Sequence, residues 1–534
     1  MGKKSMGRGL IILSISSILV KLLSALYVPA LKSIITDNGY GIYIVGYEIF
    51  ILLFAITSVG TQQAIAKVVS EFNTLGNSRA ALDTMRIAKR YLFVYGGIIS
   101  LVFMVISFPL AKIIGRPQSS LSFLFLSPAI VLAAVLSSYR GYMQGVNDMV
   151  SLGVSNIIEQ IINIFLSLVF AFLFMKISIE WGSAGGTIGT SVGAILAIAY
   201  IRYIFKRKYN SDQLNSSETS NYNVSKRSII KKLTMYCIPI TIVAIIQSLS
   251  GVIDVVTVGL GLETLGLISE MININTSLLY YYRTLINVPF TIITSLGIAI
   301  FPKVIKSFLE NSKEELRIQT GYFYKLIYTI TIPSVFGLAV LSKEIYGFLF
   351  DLNYGYELLI YGGMVLVFMS VYSIQNTILQ GINKFRLIII TGIIGLTAKL
   401  ICNITLINIE GINIMGAVIG SYVAFIIPTI VNHIKLQKYF GVKIPIIKQT
   451  IVPLISSSIM TIIILVLKYQ VMSSVLKVVG GRVGIAIGTM ILIVMGGFVY
   501  FIAIVLLKGV TKYDLDTISP KLYEVLPKYI KRNL

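Results

Sequence analysis

Runs of about 20 predominantly apolar residues follow one another along most of the chain, and each is long enough to cross a bilayer as an α-helix. Taken in order they predict about fourteen helices: 10–32, 42–66, 91–114, 121–143, 152–175, 184–205, 233–259, 277–300, 322–341, 356–380, 387–408, 412–433, 450–468 and 484–507. The longest internal polar stretch, 206–232, reads as a cytoplasmic linker. It separates an N-lobe, 1–205, from a C-lobe, 233–440, each with six predicted helices. Two further helices occupy 441–510, and a charged tail with Pro520 and Pro527 occupies 511–534. The expected fold class is an all-α polytopic membrane protein.

The two lobes echo each other. Gln144-Gly145-Val146-Asn147 returns as Gln380-Gly381-Ile382-Asn383, and Ile56-Thr57-Ser58-Val59-Gly60 returns as Ile293-Thr294-Ser295-Leu296-Gly297. Gly185-Gly186-Thr187-Ile188-Gly189-Thr190 resembles Gly416-Ala417-Val418-Ile419-Gly420-Ser421. Three collinear matches imply duplication. Because the repeat holds an even number of spans, both copies enter from one side, and the pseudo-two-fold axis runs along the membrane normal.

Composition agrees with the pattern. The mean hydropathy is +0.86, with 56% hydrophobic and 13% charged residues, far outside soluble globular usage. The first apolar run follows Lys3, Lys4 and Arg8 without a small-residue cleavage site, so it reads as a spanning helix rather than a signal peptide. Cys237 and Cys402 lie in apolar segments and read as packing residues.

The net charge of +23 changes the picture only through its distribution. With the N-terminus inside, thirty-four of the 45 Lys and Arg residues fall on inner segments. The outer loops carry seven: Lys112, Arg116, Lys176, Lys343, Lys468, Lys477 and Arg482. That asymmetry predicts cytoplasmic termini and leaves some attraction to anionic membrane lipid. No aromatic-basic surface module accompanies the charge, so a nucleic-acid partner is not expected.

Ionisable groups inside the bilayer are costly and tend to face protein or a wet cavity. Here they are Lys21, Glu48, Glu159, Asp254, Arg283 and Lys399. Predicted helix five carries Asn156, Glu159, Gln160, Asn163 and Ser167 as one polar stripe. In the second repeat Asn163 and Ser167 correspond to Lys399 and Asn403. The candidate substrate-binding cavity comprises Lys21, Glu48, Arg283, Asn156, Glu159, Gln160 and Asn163; Asp254, Lys399 and Asn403 form a C-lobe charge cluster. Interhelical polar packing is the competing explanation for both. Lys21, Arg283 and, less directly, Arg140 are candidates to hold a diphosphate, while Lys32 reads as snorkelling to the interface. Pro239, Pro289 and Pro302 lie in or beside predicted helices seven and eight, where bends would serve rocking.

Arg140-Gly141-Tyr142-Met143-Gln144-Gly145 and Ile158-Glu159-Gln160-Ile161 resemble a signature of the polysaccharide exporters in the MOP superfamily, which also contains the MATE extruders. Asn287-Val288-Pro289, leading to Phe301-Pro302, looks like the same group. The nearest likeness is to the stage V sporulation protein B and Gram-positive MurJ-like group. That resemblance implies a flippase in the bacterial plasma membrane for a lipid-linked oligosaccharide such as lipid II, with a cationic cavity between two lobes. Lys21 stands where the group commonly has Arg, and Asp254 matches an acidic position. Asn163 replaces the group's usual Arg, and Tyr27-Val28 replaces an Arg-Asp pair of some lipid II flippases, which leaves related undecaprenyl-diphosphate glycans open. Some relatives bind sodium where Asp254, Lys399 and Asn403 lie. A lysine ammonium beside an aspartate replaces the cation, so no metal is expected.

The alternative within this fold is a MATE-type cation or drug antiporter, with Glu48, Glu159 or Asp254 as its acidic group. A membrane-embedded transferase needs a positioned base or metal cluster, yet the only histidine, His433, sits at a helix end beside Lys435. The loop from Lys67 to Arg90 lacks the glycine-rich Asp-Arg signature of major-facilitator transporters. A transporter, not an enzyme, is therefore expected, without catalytic residues, cofactors or a nucleotide-binding glycine loop. Its expected partners are a diphosphate-linked glycan lipid and membrane lipids. The chain is expected to act as a monomer, with cell-wall synthesis enzymes as candidate docking partners.

Overall fold

The computed structural model describes residues 3–209, 224–444 and 447–510. Most of the predicted linker and the whole of the 511–534 tail lie outside the described residues. Among those described, the regular structure is helical. It comprises α1 (Lys3–Phe54), α2 (Gly60–Thr74), α3 (Ser78–Ile113), α4 (Ser120–Gly145), α5 (Met149–Phe174), α6 (Ile179–Lys208), α7 (Lys226–Thr264) and α8 (Ser269–Leu309). There follow α9 (Lys313–Val340), α10 (Ser342–Phe350), α11 (Glu357–Gly362), α12 (Val365–Gly381), α13 (Phe385–Leu406), α14 (Met415–Phe440), α15 (Ile451–Val478) and α16 (Gly481–Leu506).

Two units emerge from the packing, one from Met1–Tyr281 with Asn383–Ala424, the other from Tyr282–Ile382 with Phe425–Leu534. In the first, α7 packs on α1, α2 and α13, and α5 packs on α1 and α6. In the second, α9 packs on α12 and α15, and α15 on α16.

Eleven stretches among the described residues are long and apolar enough to span a membrane, against fourteen expected. Three differences account for this. The first two predicted helices run on as one stretch, Ser16–Thr74. They are bent apart at Thr36, whose φ of 64° and ψ of 177° break the helical path just before the turn-forming Asp37, Asn38 and Gly39. The stretch then passes through a π-turn at Ala55–Val59, the segment carrying the first Ile-Thr-Ser repeat. The predicted 356–380 helix is divided at Gly363 and Met364 into α11 and α12, and α8 is not among the eleven.

The Gln-Gly-Val-Asn repeat has a local cause. Asn147 and Asn383 adopt left-handed φ values of 62° and 56°, stopping α4 and α12 and turning the chain into the next helix. The preceding glycines are close-contact points: a Cβ at Gly145 would lie 2.6 Å from Val69 Cβ on α2, and one at Gly381 would lie 2.5 Å from Ile305 and Phe301 on α8.

Asp148 then caps α5. Its carboxylate accepts from Ser151 N (3.2 Å), Ser151 Oγ (2.9 Å) and Lys208 Nζ (2.8 Å). Burial alone would raise the Asp148 carboxyl, but the hydrogen bonds from Lys208 and Ser151 hold it below its ordinary value. A depressed carboxyl stabilises the fold above its unfolded pKa of about 4, and that contribution is lost as the pH falls through the folded value. Asp148→Asn is therefore expected to lower the Tm at pH 7, and the gap to wild type is expected to narrow as the pH falls below about 4. Melting curves of both proteins across that range check it.

Candidate functional site

The polar stripe of α5 is held by the bare face of α6. Gly185, Gly189 and Gly193 recur every four residues, and small residues at this spacing let membrane helices approach closely. A Cβ at Gly189 would overlap the carbonyl oxygen of Asn163, and one at Gly193 would lie 2.7 Å from that of Glu159. In this contact Asn163 Oδ1 accepts from Ser167 Oγ at 3.1 Å and from Thr190 Oγ1 at 3.3 Å. Asn156, Glu159, Gln160 and Asn163 are all half-buried.

Glu159 is engaged. Arg140 Nη2 lies 2.7 Å from its Oε2, and the same guanidinium donates to Ser155 Oγ through Nε (3.2 Å) and Nη2 (3.1 Å). Arg140 therefore braces α4 against α5, a correction to its candidacy for a diphosphate. Lys32 is corrected likewise: its ammonium lies 3.5 Å from Asp37 instead of merely snorkelling.

Lys21 is exposed on the apolar α1 and has no ion-pair partner among the described residues. On the second half of α1 the Glu48 carboxylate fills the space a Cβ would take at Gly251 of α7. The Tyr280 hydroxyl closes this contact, donating to the Gly251 carbonyl at 3.2 Å. Tyr47 lies within electrostatic reach of both Glu48 and Glu159. In the second unit, Arg283 is half-buried in α8.

The predicted Asp254, Lys399 and Asn403 cluster is brought together, wholly inside the first unit. Lys399 and Asp254 are 0% exposed. Lys399 Nζ donates to Asp254 Oδ2 (2.6 Å), Ser250 Oγ (2.7 Å) and the Ser250 carbonyl (3.1 Å), which uses its three protons. Asn403 Nδ2 donates to Asp254 Oδ1 and Thr257 Oγ1, both at 2.8 Å. The ammonium thus sits among oxygen donors as a bound cation would. Among the described residues no three His, Cys, Asp or Glu side chains gather as metal ligands.

Two features escaped the sequence reading. Along α1, Tyr40, Tyr43, Tyr47, Phe50 and Phe54 form a continuous ring ladder with centroid spacings of 5.7, 5.5, 6.0 and 6.0 Å. Their alternation of three and four residues was the available signal. Arg116, counted as an outer-loop cation, is buried at 5% exposure. It donates to Asn273 Oδ1 (2.8 Å) and Thr276 Oγ1 (3.0 Å), while Asn273 Nδ2 donates to Asn38 and Gln118. Burial pulls the Arg116 guanidinium down to about 10, so it remains charged at neutral pH. Nothing in a lone loop arginine before a proline signals such a clamp.

A family model described as "Polysaccharide biosynthesis protein" matches residues 6–278. Lipid II flippase MurJ of Bacillus subtilis is 24% identical over 516 residues, covering 92% of this chain and 94% of the relative. Stage V sporulation protein B of the same organism is 22% identical, covering 84% and 86%. Among solved structures, an inward closed conformation of lipid II flippase MurJ matches with a TM-score of 0.66 at 16% identity, covering 92% of this chain and 98% of that one. An inward-facing MATE family transporter of the MOP superfamily matches with a TM-score of 0.65 at 14% identity, covering 80% and 98%. The chain therefore has the all-α membrane fold that these transporters share.

Proposed function

From the premise that this chain belongs to the polysaccharide biosynthesis protein family, we propose that it is a flippase for a lipid-linked oligosaccharide, lipid II or a related diphosphate-linked glycan. It works by alternating access in the bacterial plasma membrane, with both termini in the cytoplasm. The carrying observation is the cation Lys21, exposed on an apolar helix without a carboxylate partner among the described residues, while the carboxylate of the α5 stripe is already neutralised by Arg140. An intramembrane cation left open in this way suits an anionic headgroup. Chain-long similarity to a flippase supports the same reading.

Lys21 of the first unit is the proposed diphosphate contact, as a point charge, and Arg283 of the second unit is a separate candidate of the bidentate kind. The half-buried amides of Asn156, Gln160 and Asn163 offer hydrogen bonds of the kind a sugar takes. A negative-inside potential favours outward movement of negative charge by about 2.3 kcal/mol per charge per 100 mV. The antiporter reading has fold likeness behind it, but it needs an available carboxylate, and of its three candidates Glu159 and Asp254 are paired with cations, which leaves it Glu48 alone.

The test is complementation in a bacterium depleted of its own flippase, with outward lipid II read by cleavage with an externally added enzyme. Wild type is expected to restore accessibility. Lys21→Ala and Arg283→Ala are each expected to lose about tenfold or more in rate, as for one charge-assisted contact of roughly 1.5–3 kcal/mol. Good expression without restoration removes lipid II as the cargo. Restoration that both variants keep removes the cationic site.

A further inference from the structure

On the first unit, α2, α3 and α7 line a groove of about 510 Å³, with Ile65, Ala88, Tyr91, Leu92, Ile238 and Thr241 among its walls. It is apolar in effect as well as in composition. Two of the hydroxyls on its wall are turned into their own helices: Thr61 donates to the carbonyls of Thr57 and Ser58, and Thr234 to that of Ile230. Tyr91 and Ile238 are 53% and 54% exposed, so the groove opens sideways where lipid would lie. A Cβ at Gly60 would overlap Thr241, which marks direct backbone contact between α2 and α7 at the groove wall.

The rim is cationic. Lys226 Nζ stands 5.9 Å from the centre of the Tyr91 ring, and Lys67 Nζ stands 4.1 Å over the Tyr236 ring. Glu71, the carboxylate nearby, is already neutralised by Lys232 Nζ at 3.0 Å and by the Tyr236 hydroxyl at 2.6 Å. Arg227 and Lys231 are exposed on the same first turns of α7. An apolar trough that ends under a rim richer in cations than in carboxylates among the described residues has the chemistry of an amphiphile with one chain and an anionic head.

We propose that this groove binds one acyl chain of an anionic glycerophospholipid, whose phosphate is held by Lys226 and Lys67. Size fits that occupant. A groove of about 510 Å³ is of the order of one ordinary acyl chain and small for a whole polyprenyl tail. The lipid bridges α3 and α7, so its occupancy supports the packing of α7 on α2. Juxtamembrane lysines are each worth roughly fivefold in affinity for an anionic surface.

The assay uses full-length protein in vesicles and quenching by brominated acyl chains. Trp181, the one native tryptophan, is replaced in a Trp181→Phe background, and Tyr91→Trp places the reporter in the groove. Phe165→Trp, on the exposed face of α5, is the control reporter. Brominated phosphatidylglycerol is expected to associate up to about 25-fold more strongly than brominated phosphatidylcholine at Tyr91→Trp, about fivefold for each of the two lysines, and about equally at Phe165→Trp. Adding Lys226→Ala and Lys67→Ala, both at exposed positions, is expected to bring the Tyr91→Trp ratio close to one. Equal quenching by the two lipids at Tyr91→Trp, or a preference that survives the lysine variants, overturns the assignment. Displacement of the quencher by a prenyl diphosphate at lower concentration than by unlabelled phosphatidylglycerol also overturns it, and gives the groove to the cargo.

Discussion

Lys399→Ala is expected to destabilise the protein by about 3–5 kcal/mol, because it strands a fully buried carboxylate. Asp254 is 0% exposed and would lose the ammonium that lies 2.6 Å from its Oδ2, while Asn403 Nδ2 still donates to its Oδ1. Asp254→Asn is expected to cost a comparable amount by stranding the ammonium instead. The double variant Lys399→Met/Asp254→Leu, which removes both charges and keeps the volume, is expected to recover most of the loss, as buried pairs replaced by packed apolar residues commonly do. Thermal unfolding in detergent with a double-mutant cycle measures the coupling.

The same site makes an ion-specific expectation. In wild type the ammonium occupies the centre of the oxygen cluster, so sodium is expected to raise the Tm no more than potassium does. In Lys399→Ala the oxygens of Asp254 and Ser250 lose their cation, and hard oxygen donors of this kind suit a hard cation. Sodium is therefore expected to return part of the lost stability to Lys399→Ala and none to Lys399→Ala/Asp254→Asn. A sodium-specific rise in wild type that Asp254→Asn abolishes would contradict the reading of Lys399 as a built-in cation.

What the sequence disclosed depended on whether a feature was periodic. Apolar runs fixed the helices because a span of about 20 residues leaves a long, redundant signal. The polar stripe of α5 was legible for the same reason, since Asn156, Glu159, Gln160 and Asn163 repeat at helical spacing. The Lys399 and Asp254 pair was within reach because buried charge is rare in lipid and demands a partner. Other features were set by one residue meeting a distant one. Arg140 reads as a terminal cation until Glu159 is seen 2.7 Å away. Arg116 reads as loop charge until Asn273, 157 positions later, accepts its proton. The break at Thr36, by contrast, falls in the gap between the predicted helices 10–32 and 42–66, and only the continuation of one helical stretch on either side of it was not legible.

Glycine positions divide along the same line, and they give the other large expected effect. Gly189→Val is expected to cost more than about 3 kcal/mol or to abolish folding, since overpacking in a close helix contact forces backbone to move. The obstacle at Gly189 is the Asn163 carbonyl oxygen, with Ser167 N at 2.8 Å, and main chain cannot rotate away as a side chain does. Gly420 on α14 faces the equivalent contact with α13: a Cβ there would overlap Asn403 Oδ1 and lie 3.3 Å from Lys399 Cγ. Here the obstacle is a side chain whose Nδ2 is fixed by Asp254 and Thr257. Gly420→Ala is therefore expected to be milder in stability, near 1–2 kcal/mol, and to shift the Lys399 network instead. Gly497 on α16 would meet nothing within 4 Å, so Gly497→Ala is expected to be neutral or slightly stabilising through helix propensity. Melting temperatures of the three variants should rank in that order. A tolerated Gly189→Val would mean that α5 and α6 do not touch where these glycines lie, and that the polar stripe of α5 is not held in place by them.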